Sequence, residues 1–91
     1  MRKYNIDYYS TEETLTCDCR ITDKLKFTAA SSLNELIDNL DIFIRKIDLK
    51  VPPRRKDMVF FVKELRFYEV KEIDDAGDFY IVNISKLKRH E

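Results

Sequence analysis

Residues 32 to 48 read Ser-Leu-Asn-Glu-Leu-Ile-Asp-Asn-Leu-Asp-Ile-Phe-Ile-Arg-Lys-Ile-Asp, and the periodicity assigned to them decides the fold. Ser32 and Glu35 have the spacing of a capping box, in which the serine oxygen and the glutamate carboxylate each accept from an otherwise unpaired backbone N–H at a helix start. Downstream, Leu33, Leu36, Ile37, Leu40, Phe43, Ile44 and Ile47 recur at helical spacing on one face, and only Ile42 breaks the pattern. Glu35, Asp38 and Asp41 come early and Arg45, Lys46 and Lys50 late, the order that complements a helix dipole. The spacing predicts an amphipathic helix from Ser32 to about Asp48 whose apolar stripe packs into a core. Val51-Pro52-Pro53 would end it, because proline has no N–H and holds the residue before it extended.

The flanking sequence alternates as strands do. Tyr4, Ile6 and Tyr8 oppose Asn5, Asp7 and Tyr9, and after a polar turn at Ser10 to Glu13 the residues Leu15, Cys17, Cys19 and Ile21 oppose Thr14, Thr16, Asp18, Arg20 and Thr22. Leu25 and Phe27 share the parity of Leu15 to Ile21, so Leu25 to Thr28 reads as a third short strand, with a continuation of the second as the alternative. Met58 to Val62 is apolar and β-branched or aromatic enough for another strand, although Met58, Phe61, Val62, Leu65 and Tyr68 also fit helical spacing. The last third reads as a hairpin around Asp74-Asp75-Ala76-Gly77-Asp78, which holds the only glycine of the chain. Pairing Ile73 with Phe79 would set Val70 opposite Val82 and Tyr68 opposite Ile84. One hairpin face would then carry Tyr68, Val70, Tyr80, Val82 and Ile84, and the other Phe67, Ile73, Phe79 and Ile81. The expected architecture is a single α+β domain over residues 1–91: an antiparallel sheet of about five or six strands with one helix packed on one face, in the order β-β-(β)-α-β-β-β.

Composition narrows the function classes. Ninety-one residues make one domain, and 44% apolar content argues against disorder even with 37% charged residues. Seventeen basic and seventeen acidic side chains cancel, so no global field draws the chain to nucleic acid or to an anionic membrane. The start lacks the apolar stretch of a signal peptide and no run spans a bilayer, which predicts a cytoplasmic protein. One glycine and nine isoleucines, with many Lys, Asn and Asp, is the skew of an AT-rich gene and fits a low-GC bacterium, its phage or a plasmid. Cys17 and Cys19 share one strand face and read as small apolar core residues, and the single histidine, His90, lies at the C-terminus, so no metal or other cofactor is expected. With no phosphate loop, no Cys with a nearby His and no nucleophile elbow, no catalytic residues are assigned and the chain reads as non-enzymatic.

Two surfaces then compete. Four large apolar side chains on the outer hairpin face would mark a docking or self-association surface, with Phe67, Ile73, Phe79 and Ile81 as its apolar residues and Arg54 and Arg55 on its rim. The partner would be another protein, or a second copy in a homodimer, and the chain a stoichiometric regulator or inhibitor working through that face or through a sheet edge. The alternative is nucleic-acid binding through the basic connector Lys50, Arg54, Arg55 and Lys56, with no aromatic interleaved to stack on bases.

The order of a hairpin, a short strand, a helix beginning Ser-Leu-Asn-Glu-Leu-Ile-Asp-Asn-Leu (32 to 40) and a proline connector at Pro52-Pro53 resembles the layout of the HicB antitoxins over about residues 3 to 56. The resemblance implies an antitoxin-like protein that neutralises a toxic ribonuclease. The Gly-Cys pair those proteins tend to carry before the helix is absent and this chain ends in a long hairpin, so no functional residue is carried across.

Overall fold

Period-two alternation, rather than the helical period, governs the described residues. The computed structural model describes residues 3–21 and 39–87, and they form six strands: β1 (Lys3–Tyr9), β2 (Thr14–Ile21), β3 (Asn39–Arg45), β4 (Met58–Phe61), β5 (Arg66–Ala76) and β6 (Phe79–Lys86). All neighbours are antiparallel, and the order β1-β2-β3-β6-β5-β4 closes on itself because β4 also pairs with β1. Read as β4-β1-β2-β3, four of these strands follow the spatial order of a Greek key. Closure pairs each strand on two sides, although β2 meets β3 only through Arg20↔Phe43 and Ile21↔Ile42.

The expected α+β architecture is therefore corrected to a closed β-barrel that is all-β among the described residues. Residues 39–45 of the anticipated helix are strand β3, and Lys46–Asp48 make a single 3-10 turn. Leu40, Ile42 and Ile44 point inward and are buried, whereas Asp41 and Phe43 are only half-buried and Asn39 and Arg45 are exposed. Ile42, the residue out of step with the helical stripe, is fully buried, and Ile47, placed on that stripe, is 84% exposed. The physical reason is tertiary: β3 pairs with β6 over its full length, from Asn39↔Ser85 to Arg45↔Phe79, so its apolar alternation is satisfied by a partner strand. The capping box at Ser32 to Glu35 and the strand expected at Leu25 to Thr28 lie outside the described residues. The layout shared with the HicB antitoxins loses the helix that carried it over residues 39–48.

The other strands lie close to where the alternation puts them, and Met58–Phe61 is strand rather than helix, followed by a turn over Val62 to Leu65. In the last hairpin the faces match expectation except at Ile73, which turns inward rather than outward, and the register differs. Ala76 pairs with Phe79, Ile73 with Val82 and Val70 with Ile84, so Gly77 and Asp78 alone make the loop. Gly77 takes φ 71° while Asp78 stays at negative φ, the pattern of a two-residue type II′ turn. A bulge between Val70 and Glu72 adds one residue to β5 and turns Ile73 to the same side as Val70.

The interior is filled by side chains from every strand, among them Ile6, Tyr8, Cys19, Ile42, Phe61, Tyr68 and Val82, as small barrels require. The connector from β3 to β4 crosses one barrel end, where Leu49 plugs the core. Asp57, the one buried charged residue among those described, ties it down: its Oδ2 accepts from Tyr8 Oη (2.6 Å) and from the Arg54 N–H (2.9 Å). Asp57 C=O accepts from Val70 N–H (2.8 Å) and Lys56 N–H donates to Val70 C=O (3.0 Å), which fastens the connector to the bulged part of β5.

Candidate functional site

In a closed barrel with a filled interior, binding chemistry has to sit on the outward half of each alternation. Two aromatic groups do so. The first lies on β1, β4 and β5. Phe60 and Phe67 are cross-strand partners with ring centroids 4.5 Å apart, and Tyr9 stands 6.0 Å from Phe67. Phe67 is 44% exposed. The Leu87 N–H donates to Phe67 C=O (3.3 Å), so the row Phe60, Phe67 continues to Leu87, itself 39% exposed. Met58, paired with Tyr9 on one side and Glu69 on the other, completes the patch. Its charged neighbours in these cross-strand rows are carboxylates: Asp7 opposite Phe60, and Glu69 opposite Met58.

The second group lies on β2, β3 and β6. Phe43 stands between Arg20 on β2 and Ile81 on β6, and meets Phe79 edge to face at 6.0 Å. Lys3 stands opposite Arg20 on β1. Lys3, Asp18, Cys19, Arg20, Phe43, Arg45 and Phe79 line a shallow cleft of about 30 Å³.

The structure thus divides the residues proposed from sequence. Phe67 belongs to the first patch, while Phe79 and Ile81 lie with Phe43 in the second, toward the opposite end of β6. Phe79 is eight residues from Leu87, roughly 26 Å at about 3.3 Å per residue. Ile73 shares the inward face with Val82 and packs on the core. Arg54 and Arg55 are exposed on the connector, where Arg55 Nη2 donates to both carboxylate oxygens of Glu72 (3.0 and 3.3 Å). Lys50 and Lys56 are exposed there too, Lys56 at φ 76° in the turn closed by Asp57 N–H to Arg54 C=O (3.2 Å). Tyr9, Met58, Phe60 and Leu87 were missed, as were Lys3, Arg20, Phe43 and Arg45. An aromatic at solvent parity was the available signal for Tyr9, whereas Phe43 was concealed by its fit to the helical stripe.

The inner groups are chemically quiet. Burial, and then the hydrogen bond to the Asp57 carboxylate, hold the Tyr8 hydroxyl protonated far above the usual phenol range. Desolvation also pushes the Cys17 thiol up to about 11, with the Asp48, Asp18 and Asp7 carboxylates adding to it, and raises Cys19 further. Neither cysteine is in a disulfide, and among the described residues no group of three or more His, Cys, Asp or Glu side chains is placed to hold a metal ion. No described helix is long and apolar enough to cross a membrane. No protein-family model, curated protein or solved structure gave a significant match to this chain.

Proposed function

We propose that this protein is a non-enzymatic binding module that engages another protein stoichiometrically through the outer patch of Tyr9, Met58, Phe60, Phe67 and Leu87, as a small regulator or inhibitor. The observation that carries the reading is Phe67: a large ring 44% exposed in a stack with Phe60, on the solvent side of a barrel whose interior is already full. One exposed ring, Phe67, beside the half-buried Tyr9, Met58 and Phe60 has the composition of an interface centre. Asp7 at the margin favours a partner that brings lysine or arginine to its rim, while Glu69 is already paired with Lys71 (2.6 Å).

The test is capture from a bacterial lysate on the tagged full chain after nuclease and at high salt, followed by calorimetry with the purified partner. The expected result is a one-to-one complex lost in Phe67→Glu, weakened in Phe67→Ala and kept in Ile81→Glu, with all three variants unfolding near the wild-type temperature. Self-association in sedimentation with no foreign partner, or equal capture by Phe67→Glu, would sink this reading.

A further inference from the structure

Where β1, β2, β3 and β6 turn outward, cations and aromatic rings alternate in a way the sequence did not announce. Lys3 and Arg20 are direct cross-strand partners, an arrangement of like charges that disfavours itself unless an anion is shared between them. Neither forms an ion pair among the described residues. Asp18, also at the cleft, is approached by Asn5 Nδ2 (3.4 Å), and Arg45 is oriented by a bidentate contact with Asp48 (3.1 and 3.2 Å). Beside this cationic rim lie Phe43 and Phe79, both half-buried, meeting edge to face so that neither ring face is consumed by a parallel stack.

We propose that this cleft is a binding site for single-stranded nucleic acid, with phosphate shared by Lys3 and Arg20 and a base seated against Phe43. A cation pair for the backbone and an aromatic for a base face are the two elements by which sheet surfaces hold single strands without reading sequence. The cleft, at about 30 Å³, is far smaller than the several hundred Å³ that enclose a small molecule. Its ligand is therefore an extended chain laid across the barrel wall. The site shares no residue with the Phe67 patch, so its test stands independently of the proposed protein interface.

The experiment is fluorescence anisotropy with the full chain and a labelled twelve-nucleotide polyuridine, repeated with polythymidine, between low and moderate salt. The expected result is saturable binding that weakens with salt at a logarithmic slope of about −0.7 to −1.4, the range for one or two phosphates on a single strand. Arg20→Glu should weaken it roughly tenfold or more and flatten the slope. Phe43→Leu, which keeps apolar volume and removes the ring, should weaken binding about fivefold or more and leave the slope unchanged. Phe67→Glu should bind as wild type. Absence of saturable binding, loss with Arg54→Glu/Arg55→Glu in place of Arg20→Glu, no effect of Phe43→Leu, or equal displacement by polyglutamate would each overturn the proposal. Should Phe43→Leu unfold, Phe79→Leu carries the same expectation from the other side of the ring pair.

Discussion

At the scale of single residues, the outward and inward halves of each strand carry different chemistry. Cys17 and Cys19 lie on the inward face of β2, opposite Ile6 and Tyr4, and desolvation dominates both thiols. A thiol raised to about 11 is almost wholly protonated at neutral pH, and the thiolate is the reactive form. In the native protein at pH 7.5, Cys17 should therefore react with iodoacetamide roughly two orders of magnitude more slowly than an unstructured cysteine. Its rate should rise about tenfold per pH unit until the pH nears 11, with Cys19 slower still, as read by peptide mass spectrometry. Rapid labelling of Cys17 in folded protein at pH 7.5 would contradict the burial described for it. Asp57 is the opposite case, a buried carboxylate kept by two donors, Tyr8 Oη and the Arg54 N–H. Its position one residue before β4 turns a proline-containing connector into a fixed lid.

At the scale of elements, the contest between two periods over 39–48 is decided by one comparison. A helix would bury Ile47 and leave Ile42 aside; strand β3 buries Ile42 completely and leaves Ile47 in solvent. Ile42→Ala should cost about 2 to 4 kcal/mol of stability in urea unfolding, since it removes buried methyl groups and leaves a cavity. Ile47→Ala should change stability by less than about 0.5 kcal/mol. Equal losses at both positions would return the segment to a helical reading. The same comparison shows what was legible. Strict alternation named the inward faces of β1, β2 and, apart from Ile73, the last hairpin, because period two needs no knowledge of the partner strand. Over 39–48 the helical reading fails because Leu40, Phe43, Ile44 and Ile47 fit period 3.6 by coincidence, while the deciding fact, a β6 long enough to pair all of β3, is non-local. Hairpin register was misjudged for a related reason. The bulge between Val70 and Glu72 leaves no compositional mark, and a two-residue Gly77-Asp78 turn was read as a five-residue loop. Of the candidate surfaces, Phe67, Phe79 and Ile81 were correctly placed outward. Their separation into two patches depends on strand order, which alternation does not encode.

At the scale of the whole molecule, closure makes the interior common to all six strands, so ionising a group inside it opposes the entire fold. Tyr8 illustrates the sign. Its folded pKa lies above the value near 10 of an unfolded chain, chiefly through burial and then through the Asp57 hydrogen bond. The native state therefore keeps a proton that the unfolded state releases. The stability this contributes is complete below pH 10 and is lost as the pH climbs through the folded value. Cys17 and Cys19, raised by the same desolvation, act in the same direction from about pH 8.5 upward. Stability from urea unfolding should thus be level across neutral pH as far as these groups are concerned. It should begin to fall above about pH 8.5 through the two thiols and steepen above pH 10 through Tyr8, with a slope approaching 1.4 kcal/mol per pH unit for each proton retained. Tyr8→Phe should lower stability at neutral pH by about 2 kcal/mol, because a hydrogen bond to a charged group is lost and Asp57 keeps only one donor. Between pH 10.5 and 11.5 the same variant should lose stability less steeply than the wild type, by up to one such slope. If the two curves run parallel through that interval, the Tyr8 hydroxyl is titrating in the folded protein as it does in water. The connector would then not seal the barrel end that Leu49 and Asp57 are described as closing.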